Sequence, residues 1–447
     1  DTIVYYTFGE PIQYNNVSED FINNMISFIN KSPSQFHATK QACDFLNNAG
    51  FTQLFYDTKW NLQPSGKYFF SNHGSEIFAF VMPKTFNQET LKFKMIGSHT
   101  DSPVLKIKPD ATMNVDDVMV KINTEVYGGP ILYTWFDRPL SVAGRVAVNI
   151  NGKIEMRLID FQKAIAVLPS VAIHLNRDVN EKGLHIANQK ELLPVISLSK
   201  TEKFDKQVLL NEIAAQVAVN PDDILDYELN FYDTTPGCTV GLNDEFVSSA
   251  RLDNLSMFYS SIAALSQAAP TDEILIVAGF NHEEIGSATS TGAASGFVPT
   301  FIERLYQEIG KSRADFLRSC NASFILSADL SHGFHPNYPD KTDPVLKNMI
   351  NAGPVIKYNY SQSYATDTES TSQIVLLCKQ HKLNFQKNVN HSEVKGGSTI
   401  GPKISSLLGC HCVDIGVAVL AMHSIREFGG SEDFCQMYGL MNAFFNN

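Results

Sequence analysis

The sequence predicts an α/β protein in which a mostly β module is inserted into a larger α/β domain. Short apolar runs alternate with helical patterns near both ends of the 447-residue chain, a rhythm that is typical of α/β folds. Between about residues 104 and 242, strand-like segments follow one another instead, with turn signals at Gly128-Gly129 and Asn151-Gly152. We therefore expect a discontinuous domain over residues 1–103 and 243–447, and a β-rich domain over residues 104–242.

The composition limits the classes of function. Hydrophobic residues make up 44% of the chain and charged residues 18%, which indicates a globular protein throughout. A formal net charge of -12 argues against a nucleic-acid partner, because phosphate binding needs clustered Lys and Arg. No run of about 18 apolar residues occurs, so we expect no membrane span. The seven cysteines lack Cys-x-x-Cys spacing and predict neither a disulfide framework nor a thiolate zinc site, which favours a reducing, cytoplasmic location.

Two helices and two strands are predicted before the β-rich region. Apolar residues recur at helical spacing over residues 19–29, and a second helical pattern covers residues 36–48. The apolar runs 77–82 and 93–97 predict strands, and the second of them leads to His99. A histidine at the carboxyl end of a strand is well placed for ligand binding in an α/β sheet.

Within the β-rich region, three segments are predicted as strands on the basis of their alternating patterns. They are residues 118–126, 132–136 and 144–150.

The apolar run at residues 274–280 predicts a buried strand, and two carboxylates, Glu283 and Glu284, follow shortly after its end. Successive residues of an extended segment point in opposite directions, so one carboxylate can bind a metal while its neighbour faces the reacting water. A solvated Glu-Glu pair at a strand end is the simpler alternative.

Other polar residues occupy similar positions later and earlier in the chain. Asp253 stands at the start of a predicted helix. A strand predicted at residues 323–328 delivers Asp329, and the apolar run at residues 412–419 leads to His423.

Six such side chains therefore lie at a helix start or just beyond an apolar run: His99, Asp253, Glu283, Glu284, Asp329 and His423. Two imidazoles with several carboxylates and no thiolate suit a pair of zinc or other divalent transition ions. Two ions need a bridging carboxylate and a base that is not a ligand, and this set can supply both. Taken singly, Asp253 as a helix N-cap and His423 as a buried histidine bonded to backbone stay open alternatives.

Seven motifs in unbroken order, from about Phe21 to the C-terminus, carry a family resemblance. They are Ser98-His99-Thr100-Asp101-Ser102-Pro103, Asn243-Asp244-Glu245-Phe246, Arg251-Leu252-Asp253-Asn254, His282-Glu283-Glu284-Ile285-Gly286-Ser287, Ser327-Ala328-Asp329, Gly397-Ser398-Thr399-Ile400-Gly401-Pro402 and Met422-His423-Ser424-Ile425-Arg426-Glu427. Together they resemble the M18 aspartyl aminopeptidases, which are dinuclear zinc enzymes. The resemblance implies a phosphorylase/hydrolase-like metallopeptidase fold with a mixed sheet, and removal of N-terminal Asp or Glu from peptides.

The resemblance also implies a ligand set for two zinc ions per subunit, with manganese or cobalt as exchangeable substitutes. His99 and Asp329 would hold one ion, Glu284 and His423 the other, and Asp253 would bridge them.

Two further carboxylates receive roles from the same resemblance. Glu283 would be the general base that takes a proton from the attacking water and hands it to the leaving amine. Asp101 would orient the imidazole of His99, and a turn residue in Asp-Ser-Pro is its alternative.

The resemblance implies a pocket for the first side chain of the substrate. Lys357 would pair there with an Asp or Glu carboxylate, although a lone lysine is normally a solvated surface residue. Tyr364, His332 and His335 would shape the pocket, and His332 is the strongest candidate of the three.

His174, within residues 169–175, resembles a segment that reaches into a neighbouring subunit's active site. The resemblance implies a dodecamer built from dimers, so we infer that the β-rich domain mediates dimerisation. A capped core histidine in a β module is the alternative for His174.

Two other functions stay open at this point. One is a related dinuclear metallo-aminopeptidase or deacylase with neutral specificity, for which a pocket lysine would have no use. The other is a non-catalytic assembly or cargo protein of the same fold, against which the complete set of six residues argues.

Overall fold

The computed structural model describes residues 17–199 and 204–447. Its strands are β1 (Thr52–Gln53), β2 (Lys67–Asn72), β3 (Glu76–Val81), β4 (Phe93–His99), β5 (Val104–Val115), β6 (Met119–Tyr127), β7 (Leu140–Ile150), β8 (Lys153–Asp160), β9 (Val195–Leu198), β10 (Ile224–Asp233), β11 (Cys238–Val240), β12 (Phe246–Ser249), β13 (Ile274–Phe280), β14 (Phe324–Ala328), β15 (Ser331–His332), β16 (Val355–Tyr358), β17 (Gln386–Val389), β18 (His411–Gly416), β19 (Ala418–Leu420) and β20 (Glu427–Gly430).

The helices in the same part of the chain are α1 (Val17–Asn30), α2 (Gln35–Asn48), α3 (Val179–Lys182), α4 (Asn188–Glu191), α5 (Val208–Gln216), α6 (Leu252–Gln267), α7 (Phe297–Glu308), α8 (Arg313–Ala322), α9 (Thr368–His381), α10 (Gly401–Leu408) and α11 (Ser431–Asn446). Within residues 17–199 and 204–447, no helix combines the length and the apolar character that a membrane span requires.

A nine-stranded mixed sheet forms the centre of the molecule, in the order β1-β2-β3-β13-β4-β14-β18-β16-β17. Its four middle strands, β13, β4, β14 and β18, run parallel to one another. All seven residues of β13 are buried, as expected for a central strand that is covered on both faces. The carboxyl ends of these parallel strands therefore lie along one edge of the sheet.

Helices cover both faces of this sheet. On one face α1, α2, α6 and α11 pack in an apolar cluster that includes Phe258, Leu265 and Phe434. On the other face α7, α8 and α10 pack in a second cluster, which includes Phe301 and Tyr306. Burial of these large side chains is the main force that holds the layers together, at about 25 cal/mol per Å² of apolar surface.

A six-stranded sheet, in the order β8-β7-β10-β5-β6-β9, is built from strands between Val104 and Asp233. It has its own apolar cluster, which includes Trp135, Val146 and Phe231. A third sheet of five strands, β11-β12-β20-β19-β15, joins parts of the chain from both sides of β13. The limits 104 and 242 of the β-rich domain remain a prediction.

The predicted α/β fold with its mixed sheet is confirmed, and most predicted elements lie within a few residues of the observed ones. The strand predicted at residues 132–136 is wrong, because Leu132–Trp135 is a 3-10 helix. Thr134 donates its amide and its hydroxyl to the carbonyl of Ile131, at 3.1 and 2.6 Å, so the segment satisfies its polar groups locally rather than with a strand.

Candidate metal centre

The central parallel strands bring four of the predicted side chains to one edge of the sheet. His99 is the last residue of β4, and it is in register with Phe280 at the end of β13. Glu283 and Glu284 follow β13 in a short 3-10 turn, and Asp329 follows β14 on the other side of β4. Parallel strands that end together therefore place one imidazole between three carboxylates.

Two more side chains reach the same edge from outside the sheet. Asp253 lies near the start of α6, where its own backbone is not helical and the regular helix follows Asn254. The positive end of that helix dipole favours a carboxylate there. His423 follows β19 in a turn, with a left-handed φ of 68° that is rare for a residue with a side chain. Such strained backbone is common at functional sites.

The two oxygens of Asp253 face two different imidazoles. Nε2 of His99 lies 3.3 Å from Oδ1 of Asp253 and 3.7 Å from Oδ2 of Asp329. Nε2 of His423 lies 3.4 Å from Oδ2 of Asp253 and 3.3 Å from Oε2 of Glu284. A carboxylate placed between two imidazoles in this way has the arrangement of a bridging ligand.

Potential ligand atoms within 4.8 Å of one another form overlapping groups. One group contains His99, Asp253 and Asp329, and another contains Asp253, Glu284 and His423. A third group combines Glu283 with His99 and Glu284. The buried atoms Nε2 of His99, Oδ1 of Asp253 and Oε1 of Glu284 have no hydrogen-bond partner. Unpaired buried ligand atoms are costly, and imidazole nitrogens and carboxylate oxygens are zinc ligands, so the set fits divalent cations.

The electrostatics of this cluster also favour added positive charge. Burial raises the pKa of Glu283 to about 8, and the carboxylate of Asp329 adds to the rise. Burial and the carboxylate of Asp253 likewise raise the pKa of Glu284 well above its usual value. Burial would also raise the pKa of Asp253, but the imidazoles of His423 and His99 beside its two oxygens hold it well below its usual range. A nearby opposite charge stabilises the ionised form of a carboxylate, so cations between these groups relieve the crowding.

Comparison with known proteins identifies the family. Residues 28–445 match the family described as Aminopeptidase I zinc metalloprotease (M18). The chain belongs to the M18 family. The probable M18 family aminopeptidase 2 of Clostridium acetobutylicum is 41% identical over 430 residues, which cover 96% of this chain and 99% of that protein. The protein of the same name from Ectopseudomonas mendocina is 41% identical over 431 residues, or 96% of this chain and 99% of that one.

Solved structures of the same family show the same fold. A chain from the cryo-EM structure of the Ape4 and Nbr1 complex superposes with a TM-score of 0.92 at 32% identity, covering 96% of this chain and 86% of that chain. Yeast aminopeptidase 1 superposes with a TM-score of 0.83 at 25% identity, covering 96% and 97%. The M18 resemblance seen in the motifs is thus confirmed, and the chain is a zinc metalloprotease of the aminopeptidase class.

Asp101 lies behind the metal edge of this M18 chain and holds several of its parts. Its backbone carbonyl is 3.0 Å from Nδ1 of His99, and its carboxylate is 3.2 Å from the same nitrogen. The amides of Glu283 and Glu284 donate to its two oxygens at 3.2 and 3.1 Å, and the hydroxyl of Tyr127 donates to Oδ2 at 2.6 Å. Asp101 therefore lies beside the imidazole, and its orienting role stays a prediction. Sequence reasoning missed Tyr127. Its position before two glycines gives no signal of a partner 26 residues away in the chain.

The backbone around His423 is fixed by a second buried carboxylate. Glu427 accepts the amide of His423 at 2.9 Å with one oxygen and the amide of Asp253 at 2.9 Å with the other. Nδ1 of His423 lies 3.0 Å from the carbonyl oxygen of Gly129. Glu427 was also missed as a site residue, although it ends the last of the seven motifs, which was a usable signal.

A cleft of about 450 Å³ opens beside the metal centre. Lys357, Tyr364 and His332 line it together with five of the six predicted metal-centre residues, namely Asp253, Glu283, Glu284, Asp329 and His423. His335 is not among the lining residues and packs its ring against Tyr338 at 4.9 Å between centroids.

Lys357 is almost fully buried, with 1% of its surface exposed. Its Nζ donates to the carbonyl of Leu330 at 3.0 Å and lies 4.9 Å from the centre of the Tyr364 ring. Burial opposes its charge, but the fields of Asp329 and other acidic neighbours outweigh this and raise the pKa of Lys357 above its ordinary value. The lysine therefore presents a positive charge at the wall of the cleft.

His174 lies away from this arrangement within the chain. It sits in the 3-10 turn Ile173–Leu175 of the β-rich region, where all three residues are exposed. It is not among the residues that line the cleft.

Proposed function

We propose that this M18 aminopeptidase holds two zinc ions and removes N-terminal Asp or Glu residues from peptides. The observation that carries the acidic specificity is the buried ammonium of Lys357 in the wall of the cleft beside the metal centre. The nearby acidic side chains keep this ammonium charged, and the side-chain carboxylate of an acidic peptide is a group that can form a charge-assisted contact with it.

The double-sided position of Asp253 supports two ions rather than one. His99, Asp253 and Asp329 would hold one zinc, and Asp253, Glu284 and His423 would hold the other. Bound zinc supplies a Lewis acid that polarises the scissile carbonyl and lowers the pKa of water.

Glu283 is the residue best placed to move the proton. Its Oε2 lies 3.6 Å from Nε2 of His99, next to the proposed zinc ligands. The two proposed ligand groups are complete without Glu283, which leaves its carboxylate available for proton transfer. Glu283 would take a proton from the attacking water and deliver it to the amine that leaves when the peptide bond breaks. Glu283 thus regains its original, unprotonated form after each turnover.

The cleft supplies complementary charges for both ends of an acidic N-terminal residue. The free α-amino group of the peptide would lie near the acidic side chains at the metal edge, which restricts cleavage to the chain end. An ammonium has three N–H donors, and the carbonyl of Leu330 takes one of those of Lys357. The remaining donors would bind the substrate's side-chain carboxylate, with Tyr364 and His332 shaping the pocket around it.

Assembly forms part of the proposal. S. cerevisiae mApe1, which is 25% identical and superposes with a TM-score of 0.82, has been solved as a dodecamer. In this chain the edge strand β8 exposes Ile154, Met156 and Leu158 at alternate positions. We infer a dodecamer built from dimers, with the β-rich domain in the dimer contact and His174 entering the neighbour's site. The cytoplasmic location remains a prediction.

The test is hydrolysis of matched peptides that differ only in an N-terminal Asp, Glu, Leu or Ala, with and without a chelator. Zinc, manganese or cobalt is then added back. We expect chelator-sensitive cleavage of the Asp and Glu peptides. Cleavage that favours Leu would keep the metal centre and refute the acidic pocket, whereas no cleavage by the assembled protein with any metal would favour the non-catalytic alternative.

Lys357→Met tests the pocket with nearly unchanged volume. Loss of a charge-assisted contact of about 1.5–3 kcal/mol predicts a fall of about 10- to 100-fold in kcat/KM for Asp and Glu peptides, with little change for Leu. Lys347→Met, which alters an exposed lysine over the ring of Phe334, is the matched control. An equal loss on acidic and neutral peptides would contradict the role of Lys357.

A further inference from the structure

One segment of the β-rich region contacts the supports of both imidazoles in the metal centre. We propose that residues 127–134, here named the clasp, position His99 and His423 for zinc, and that Tyr127 is the clasp's principal positioning residue. The inference rests on the metal centre of the proposed function and is independent of substrate specificity. It gives a role to the Gly128-Gly129 turn, which the reaction itself does not require.

Tyr127 acts on His99 through Asp101. Its hydroxyl donates to Oδ2 of Asp101 at 2.6 Å, a short bond of the kind formed with ionised carboxylates. Asp101 is buried, and its other contacts are Nδ1 of His99 and the amides of Glu283 and Glu284. The hydroxyl therefore completes the set of contacts that fixes the carboxylate. The carboxylate and the backbone carbonyl of Asp101 together hold Nδ1 of His99 and direct Nε2 toward the ligand oxygens.

The next residues of the clasp act on His423. The carbonyl of Gly129 lies 3.0 Å from Nδ1 of His423, and a carbonyl can only accept. The proton of the neutral imidazole is therefore held at Nδ1, which leaves the lone pair of Nε2 free to face Asp253 and Glu284. This is the tautomer that a zinc ligand needs.

The clasp also holds the turn that carries His423. The amide of Ile131 donates to the carbonyl of His423 at 2.9 Å, and the hydroxyl oxygen of Thr134 accepts the amide of Ile425 at 2.9 Å. Both bonds lie at or just after His423, whose backbone is in the left-handed region. The clasp thus stabilises a strained turn as well as the ring that projects from it.

The zinc affinity of a Tyr127→Phe variant, purified as the full assembled chain, tests the inference. We expect about a 10-fold weaker affinity in competition with a chromophoric chelator, in line with the usual effect of removing a contact that orients a ligand. The visible absorption bands of the cobalt-substituted protein should also change, because they report ligand geometry. Tyr227→Phe is the matched control, since it removes a bond of 2.7 Å from the same region to the carbonyl of Lys108.

The outcomes separate this inference from the others. Wild-type zinc affinity and cobalt bands in Tyr127→Phe would overturn it, as would an equal change in Tyr227→Phe. If the wild-type protein binds only one zinc ion, the dinuclear proposal is overturned. The effect of Tyr127→Phe on the affinity for that single ion still tests the role of the clasp. Thr134→Val, which removes the acceptor for Ile425, provides a second variant that acts from the His423 side, with an expected loss of a few-fold.

Discussion

Two segments of the β-rich region, the clasp and residues 169–175, differ in how far they contact the rest of the chain. The clasp is hydrogen-bonded to the metal edge of the same chain through Tyr127 and Gly129. In residues 169–175 the side chains face outward, and Leu175 has 81% of its surface exposed. Ser170 is tied locally to Asp137, which holds the base of the segment but covers none of its apolar residues.

The comparison shows which parts of the site one chain can complete. The polar groups by which the clasp contacts the metal edge are paired within the chain, so these contacts need no partner. An exposed histidine flanked by Val171, Ile173 and Leu175 forms an apolar protrusion, and such surfaces commonly mark a protein contact. The metal centre is therefore expected to assemble in each chain, whereas the full substrate site is expected to require a second copy.

The largest expected effect concerns the metal centre, which one chain is expected to complete. Glu283→Gln removes the proposed base and leaves both proposed ligand groups, so kcat should fall about 10³-fold with no change in zinc content. Kinetics together with metal analysis of the purified variant measure the two quantities.

The neighbouring carboxylate provides the contrast. Glu284→Gln should weaken zinc binding, because Oε2 of Glu284 lies beside Nε2 of His423. A Glu283→Gln variant that keeps most of its kcat would remove Glu283 from the proposed role. Equal zinc loss in both variants would show that the pair is not divided into base and ligand.

Much of the fold and metal centre could be predicted because the signals were local. Residues 274–280 were predicted as a strand from seven consecutive apolar residues, and β13 covers the same seven. Strand ends and a helix start then sufficed to select His99, Asp253 and Asp329, which the fold brings together at the edge of the parallel strands.

The supporting residues could not be found in this way, since their partners are distant in the sequence. Tyr127 meets Asp101 only because β6 returns beside β5 toward the sheet edge. Residues 132–136 have the alternation of a strand, but no neighbouring strand pairs with them in the described structure and a turn forms instead. The wrongly predicted strand overlaps the clasp, where contacts to the turn that carries His423 override the local sequence pattern.

A smaller effect is expected from a substitution in the exposed segment, residues 169–175. His174→Phe should lower kcat/KM about 10- to 100-fold without changing zinc content or oligomeric state, because the histidine lies in neither metal group. His185→Phe alters another exposed histidine of the same region and should have little effect. Unchanged activity in His174→Phe would remove this residue from the site.

Mixed dimers decide whether His174 acts across the interface. A dimer of one Glu283→Gln chain and one His174→Phe chain, isolated by two affinity tags, has one fully native site if the histidine acts on its neighbour. Such dimers should be more active than either parent. Activity no higher than the mean of the parents would mean that His174 serves its own chain.

The smallest expected effect concerns the glycine at the centre of the clasp. Gly128 has a φ of 72°, and a Cβ there would lie 3.2 Å from Cβ of Glu284. Gly128→Ala should lower the free energy of unfolding by about 1 kcal/mol through backbone strain and weaken zinc binding a few-fold by displacing Glu284. Gly152→Ala separates the two causes, since Gly152 has a φ of 79° in the same region with no atom within 4 Å of the added Cβ. Both variants should lose similar stability in chemical denaturation, and only Gly128→Ala should lose zinc affinity, because only the clasp transmits its strain to a metal ligand. Equal zinc affinity in the two variants would mean that the clasp tolerates displacement at this point and that its control of the centre is exerted through Tyr127 and Gly129 alone.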